Sequence, residues 1–209
     1  MFQPRSYVET DLRELDALIA RDAFITLVTV RDGAPEVNHL PVLYRRDGDR
    51  IELRGHWSAA NPQAKQAGPA LAIVHGPHAY ISPGWYPDKQ PEARVPTWNY
   101  VVAHLHGTLE TFRDEEGLAT LVDELSAHHE ATVGGDWRFD FDRPEERRQL
   151  RGIVGFRLLV ERAELKFKLS QNHPLGNRQS VVERLAAIGG EAGEVAEMMR
   201  ARLALAPLE

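Results

Sequence analysis

The sequence predicts an α+β protein of mainly antiparallel strands that close or partly close into a barrel, with helices at its edges. Three observations lead to this class. Short β-branched and aromatic runs at 24–30, 36–44 and 51–57 follow one another with turn signals between them. Helical spacing is confined to a few segments beside and after these runs. Glycine-rich loops with phosphate-cradling spacing are absent, which argues against a Rossmann site or a P-loop.

Composition indicates an ordinary globular chain in a reducing compartment. Of 209 residues, 43% are hydrophobic and 27% are charged, which suits one domain with or without an appended helical piece. The chain has no cysteine, so disulfides, thiolate metal sites and a cysteine nucleophile are excluded. Residues 1–11 do not resemble a secretory signal, and no apolar run has membrane-spanning length. We therefore expect a cytoplasmic protein without a membrane partner.

Charge gives no general attraction to nucleic acid. The formal net charge is −6, so direct DNA binding is not evident and would need a local basic patch. The densest basic stretch, 143–151, is interrupted by Glu145 and Glu146 and has no aromatic residue. This mixture favours a solvated helix face over a DNA contact.

The order of elements can be predicted along the whole chain. A helix capped by Thr10 precedes a meander of three strands joined by turns at 31–33 and 46–49. The remaining predictions are a short helix at 58–68 interrupted by Pro62, strands at 70–75 with a continuation at 79–82, a surface loop at 83–96, a half-buried strand at 100–112, helices at 115–130 and 144–150, strands at 153–160 and 163–169, and helices at 178–188 and 191–205. We assign 1–175 to the barrel and 176–209 to a C-terminal helical extension that packs on the barrel or on a partner subunit.

Polar residues that can bind a ligand are concentrated in four otherwise apolar segments. These segments are 38–41, 54–62, 76–100 and 166–172. Their Asn, Gln, Ser, Tyr, Trp and Lys side chains supply hydrogen-bond donors and flat walls, which suit a ring system with polar edges and a phosphate tail.

Several strings within these segments resemble the signature strings of the PaiB family of FMN-binding negative transcriptional regulators. The matching strings are Arg54-Gly55-His56, Ala60-Asn61-Pro62, Gly76-Pro77-His78-Ala79-Tyr80-Ile81-Ser82-Pro83, Trp85-Tyr86, Lys89, Val95-Pro96-Thr97-Trp98-Asn99-Tyr100 and Lys168-Leu169-Ser170-Gln171-Asn172. Their order and spacing match from Met1 to about Leu185, so the resemblance covers nearly the whole chain.

The resemblance implies a pyridoxamine phosphate oxidase-like split β-barrel with peripheral helices and a helical C-terminus. It also implies a homodimer that binds FMN between its protomers. Carried onto this chain, the phosphate-side residues are His56, Ser58 and Asn61, and the residues along the ring edge are Asn38 and His39. The remaining walls are assigned to Thr97, Trp98, Asn99, Lys168, Ser170 and Gln171. No metal site is predicted.

The chain departs from the family pattern at Ala59. Family members usually carry an arginine between the histidine and the Asn-Pro pair, so this chain lacks one guanidinium that could clamp a phosphate. Gly84 also replaces a common serine before the Trp-Tyr pair, which loosens the loop.

Some of these residues also allow purely structural interpretations. The aromatic residues around 85–100 could close one end of the barrel core, and His39 could be an ordinary strand residue. His104 and His106 have a spacing compatible with metal, but no third ligand is in register, so we favour a polar strand face or a dimer contact. Lys166 and Lys168 could form a solvated edge that discourages aggregation.

Three functions remain open at this stage. The first is a flavin-binding regulator, and the second is a flavin-dependent oxidoreductase acting on a small molecule. The third is a protein-interaction module that has lost its flavin, a reading motivated by Ala59. Because no positioned nucleophile or acid pair is visible, we assign no catalytic residue, and the partner could be a small molecule or another protein.

Overall fold

A computed structural model describes residues 1–204, which form an eight-stranded sheet and five α-helices. The strands are β1 (Val8–Glu9), β2 (Phe24–Arg31), β3 (Ala34–Pro41), β4 (Leu43–Asp47), β5 (Arg50–Ser58), β6 (Gly68–Ile81), β7 (Thr97–Phe112) and β8 (Ile153–Lys168). The helices are α1 (Leu12–Arg21), α2 (Glu115–Val133), α3 (Pro144–Gln149), α4 (Leu175–Ile188) and α5 (Gly190–Ala204).

The chain divides into two compact units. The terminal unit contains residues 1–11, 75–103 and 164–204, and the central unit contains residues 12–74 and 104–163. The chain passes between them within β6, β7 and β8. The division at residue 175 predicted from the sequence stays a prediction.

Two tight hairpins start the central unit. Strands β2 and β3 pair antiparallel from Phe24 opposite Pro41 to Arg31 opposite Ala34. Their two-residue turn places Asp32 and Gly33 at φ values of 52° and 80°. Positive φ at both positions is what a type I′ turn requires, and its twist matches that of the flanking strands. Strands β4 and β5 form the second antiparallel hairpin.

The predicted three-strand meander is wrong because these hairpins are not neighbours. The strand order is β3-β2-β6-β7-β8-β5-β4, with β1 pairing to β8. The predicted strand 36–44 is divided into β3 and β4 at Val42, whose side chain is fully buried. Pro41 has no N–H for the sheet and ends β3. The predicted strand at 70–75 and its continuation at 79–82 form the single strand β6, whereas the strand pair predicted at 153–160 and 163–169 is instead the continuous strand β8.

The apolar core of the central unit follows the alternation of its strands. Leu53 and Trp57 of β5 are buried on one face, and α1 buries Leu15 and Leu18. The rings of Trp57 and Phe156 lie 4.5 Å apart between centroids. Burying such side chains contributes roughly 1.5 to 3 kcal/mol each.

The terminal unit contains the helical C-terminus. Helices α4 and α5 meet at Gly189 and Gly190, whose φ values of 74° and 54° end the first helix where the sequence predicted. Leu205 of the predicted last helix lies outside the described residues. Within residues 1–204, no helix is both long enough and apolar enough to span a membrane.

Gln63 is a fully buried amide in the central unit. It lies in a short 3₁₀ turn, Pro62–Lys65, which Pro62 begins rather than interrupts. Its Oε1 accepts hydrogen bonds from Trp57 Nε1 at 3.0 Å and from Asn38 Nδ2 at 2.8 Å. Its Nε2 donates to the carbonyls of Leu27 and Glu36. One side chain therefore ties together β2, β3, β5 and the turn.

Replacing this amide should destabilise the fold. A Gln63→Leu substitution would leave several buried donors and acceptors unpaired, at about 1 to 3 kcal/mol for each group. We expect the free energy of unfolding to fall by roughly 3 kcal/mol in urea denaturation. Gln66→Leu is the matched control, because the Gln66 side chain is half-buried and, among residues 1–204, bonds to Glu36 alone. Equal losses in both variants would contradict a special role for Gln63.

Candidate functional site

The structure places the predicted site residues in two groups, one in each unit. The central group contains Asn38, His39, His56, Ser58 and Asn61. The terminal group contains Thr97, Trp98, Asn99, Lys168, Ser170 and Gln171.

Asn38 and Asn61 are brought together within the central group. The Nδ2 of Asn61 donates to Oδ1 of Asn38 at 2.8 Å, and Asn38 in turn donates to Gln63. The Oδ1 of Asn61 also accepts from the Gln63 amide N–H and caps the 3₁₀ turn. These contacts fix the turn against strand β3.

His39 lies apart from Asn38 although the two are adjacent in sequence. Successive side chains of a strand point to opposite faces. His39 is exposed, and its Nδ1 lies 3.0 Å from Thr26 Oγ1 on the neighbouring strand. The side chains of Asn38 and His39 therefore lie on opposite faces of β3, and they cannot contact the same edge of one ligand.

His56 and Ser58 share one face of β5. The Nδ1 of His56 is buried and has no hydrogen-bond partner in the described part of the chain. Burial lowers the pKa of His56, which disfavours the charged imidazolium. The exposed Ser58 hydroxyl accepts a bond from the Ala60 N–H at 3.3 Å.

Lys168 is the central cation of the terminal group. Its Nζ donates to Thr97 Oγ1 and to the carbonyl oxygen of Trp98. Burial, and secondarily the positive charge of Lys166, lower the pKa of Lys168. Lys166 itself is only 7% exposed and donates to the Phe2 carbonyl, so the interpretation of a solvated edge is wrong for Lys166.

Asn99 and Ser170 form a buried pair. The Asn99 amide nitrogen donates to Ser170 Oγ at 3.0 Å, and the Asn99 oxygen lies 3.1 Å from the same hydroxyl. Ser170 adopts a φ of 62°, which is uncommon outside glycine. Gln171 bonds to the backbone of Phe167 and Leu169 and closes this turn.

A cavity of about 290 Å³ lies beside these residues in the terminal unit. Its walls include Tyr7, Arg94, Thr97, Lys168, Ser170 and His173.

Tyr7, Arg94 and His173 were not predicted as site residues. Arg94 forms a bidentate ion pair with Asp88, whose Oδ1 also accepts from Asn177 Nδ2 at 2.7 Å. The only sequence signal for Arg94 was its position in the long polar loop.

The aromatic residues divide between the two interpretations left open by the sequence. Tyr86 is 1% exposed and stacks on His173 at 4.6 Å between ring centroids, so it is a core residue. Trp98 is 52% exposed and lies 5.9 Å from the ring of Tyr80, which is 46% exposed. Trp98 is therefore available to a ligand or a partner.

Solved structures with a similar architecture identify the fold. The FAD and heme binding protein from Mycobacterium smegmatis has a TM-score of 0.54 and 21% identity, covering 88% of this chain and 80% of that chain. The flavocytochrome Anf3 from Azotobacter vinelandii has a TM-score of 0.53 and 17% identity, covering 77% of this chain and 69% of that one. The predicted fold class, an α+β split β-barrel with peripheral helices and a helical C-terminus, is confirmed.

The sequence comparisons identify the family. A family model described as "Putative FMN-binding domain" matches residues 1–162. The chain is 31% identical to Protease synthase and sporulation protein PAI 2 from Bacillus subtilis, over 97% of this chain and 98% of the relative. The chain therefore belongs to this FMN-binding family, which confirms the PaiB resemblance, and FMN is the cofactor that membership assigns.

One feature of the structure fits this cofactor. The buried Nδ1 of His56 lacks a partner that a ligand could supply.

The ion pair of Asp88 predicts a pH dependence of stability. Hydrogen bonds from Arg94 hold the pKa of Asp88 at about 2, below its ordinary value of 3.8. Because the folded-state pKa is depressed, this stabilisation is present above pH 3.8 and is lost as pH falls toward about 2. Between pH 5 and pH 2, the Tm of an Asp88→Asn variant should fall less than the Tm of the parent protein. The exposed turn residue Asp49 gives the control Asp49→Asn, which should follow the parent curve.

Proposed function

We propose that the protein is an FMN-binding regulatory protein that works as a homodimer. In this proposal His56, Ser58 and Asn61 of the central group hold the phosphate of FMN. Family membership supports the cofactor, and the residue assignments follow the matched sequence strings. Bound FMN would supply redox chemistry, while the chain supplies position and hydrogen bonds.

The unsatisfied imidazole of His56 is the observation that carries this proposal. An unpaired buried polar atom costs about 1 to 3 kcal/mol. A phosphate oxygen that accepts a hydrogen bond from His56 would remove this cost. Ser58 lies in the same strand as His56. Asn61 lies five residues after His56, directly before the turn that follows this strand.

The central turn is held in place before any ligand binds. Asn38 and Gln63 bond to Asn61 and to each other, so Asn61 has a fixed position. Preorganisation of this kind reduces the conformational entropy that binding must otherwise overcome.

The homodimer is supported by an exposed aromatic surface rather than by strand β7. The apolar face of β7, with Val101 and Leu105, is buried within the chain and is not available to a partner. Trp98 and Tyr80 instead expose about half of their surface on the terminal unit. Large exposed aromatic residues are enriched in protein interfaces.

A flavin-dependent oxidoreductase is the second candidate. The cavity beside Lys168 favours it, because 290 Å³ is enough for a small substrate next to a cofactor. NAD(P)H oxidation by the FMN-loaded protein separates the two functions. Turnover in the presence of a small acceptor would establish the enzyme, and its absence across acceptors would favour the regulator.

Residue 59 provides a direct test of the phosphate side. A charge-assisted hydrogen bond contributes roughly 1.5 to 3 kcal/mol. At about 1.4 kcal/mol per decade, an Ala59→Arg variant should bind FMN tenfold to a hundredfold more tightly. Flavin fluorescence titration measures this change.

Two controls show whether the gain comes from the phosphate. Riboflavin lacks the phosphate and should bind the Ala59→Arg variant and the parent protein equally. Ala60→Arg adds the same charge at the next, exposed residue and should give a smaller gain. Equal gains for FMN and riboflavin would show that residue 59 does not face the phosphate. Failure of the parent protein to bind FMN at all would favour the interaction module.

The exposed tryptophans provide a matched test of the dimer. Sedimentation equilibrium should give twice the 23.5 kDa mass of the chain. Trp98→Glu should produce monomers because a charge in an apolar interface is costly. Trp137→Glu changes a tryptophan that is 49% exposed in the central unit, and this variant should remain dimeric. A monomeric parent protein that still binds FMN would contradict the proposal.

A further inference from the structure

The ammonium of Lys168 has no acidic partner within residues 1–204. Its bonds go to a hydroxyl and a carbonyl, and the nearby Lys166 adds a second positive charge. Lys166 bonds to the Phe2 carbonyl and lies over the rings of Phe2 and Tyr100. A partly buried cation without a counter-charge is costly, and a bound anion would supply that charge.

Arg94 adds hydrogen-bond donors to the cavity without adding net charge. Asp88 neutralises its guanidinium through Nε and one terminal nitrogen. The side chain of Arg94 is 20% exposed, and the Asn177 bond to Asp88 fixes the pair against α4. The second terminal nitrogen remains a donor for a ligand oxygen.

The cavity wall is also strained. Among residues 1–204, three non-glycine residues have a positive φ, and two of them line this cavity: Ala93 at 44° and Ser170 at 62°. The third, Asp32, lies in a hairpin turn that requires such a φ. Strained residues persist only where their surroundings hold them, and they cluster at ligand sites. Asn99 holds Ser170 in this conformation.

We propose that this cavity binds the carboxylate of a small aromatic acid, distinct from FMN, between Lys168 and Arg94. The acid is the substrate or effector of the FMN-binding protein, and in that role the inference rests on the proposed function. Tyr7, Pro96 and His173 provide flat walls for its ring.

Charge and size favour an aromatic carboxylate over a phosphate or FMN. Asp88 compensates the charge of Arg94, and Glu92 in the cavity lining disfavours a dianion beside Lys168. The volume of 290 Å³ lies at the lower end of the range of roughly 300 to 1,000 Å³ for small-molecule sites. It suits a single ring better than the three-ring flavin with its phosphate tail.

Benzoate and its neutral analogue benzamide test the carboxylate. Isothermal titration of the purified protein should show benzoate binding at least tenfold more tightly than benzamide. Lys168→Met should reduce this preference to less than threefold. Lys89→Met is the control, because Lys89 is exposed and donates to the Gly84 carbonyl. Circular dichroism and Tm verify folding of each variant. Equal affinity of the parent protein for benzoate and benzamide would overturn the proposal.

A second measurement does not depend on any variant. In the parent protein, benzoate should shift the NMR signal of the Lys168 side-chain Cε and raise its titration midpoint, because the bound anion stabilises the ammonium. An unchanged Lys168 signal at saturating benzoate would place the binding elsewhere and overturn the assignment.

Competition separates this site from the flavin. Benzoate should bind FMN-saturated protein with unchanged affinity, and displacement of FMN by benzoate would overturn the inference by assigning the cavity to the flavin. Tighter binding of inorganic phosphate than of benzoate would also overturn it. If the protein binds benzoate with the predicted selectivity but not FMN, the proposed function fails and the carboxylate site stands.

Discussion

The requirement that buried hydrogen-bonding groups find partners organises both units of this protein. In the central unit, Gln63 satisfies donors and acceptors from three strands while its own amide is fully paired. In the terminal unit, Asn99 and Ser170 satisfy each other at the end of β8. Both arrangements hold a predicted site residue in one position. The polar interior therefore determines where a ligand can be contacted.

Departures from this requirement are as informative as its fulfilment. His56 has a buried nitrogen without a partner, and Lys168 has an ammonium without an acidic partner, within the described residues. Each departure costs free energy in the isolated chain, and each is removed by a ligand of suitable chemistry. His56 and Lys168 belong to different units, and they suit different ligand groups. A phosphate oxygen suits the first, and a carboxylate suits the second.

The ion pair of Asp88 and Arg94 links loop structure to ligand chemistry. A guanidinium held by a carboxylate has a fixed geometry, so its remaining N–H groups form a preorganised donor set. Asn177 extends this order to helix α4. The long loop, which has no periodic pattern of its own, is thus ordered by side chains rather than by regular secondary structure.

Local sequence patterns determined the class of fold, the family and the cofactor. Alternation predicted the buried face of β7, Gly189 and Gly190 predicted the end of α4, and the matched strings predicted FMN. These features depend on residues close together in the chain, or on strings that the family shares. They can be read without knowing which segments meet.

Only the tertiary structure decided which strands are neighbours and which charged side chains are buried. The separation of the two hairpins, the burial of Lys166, and the meeting of Arg94 with Lys168 and His173 at one cavity depend on segments far apart in sequence. The different environments of Asn38 and His39 likewise depend on what covers each face of β3. Periodicity reports that a strand has two faces, but it does not report what packs against either one.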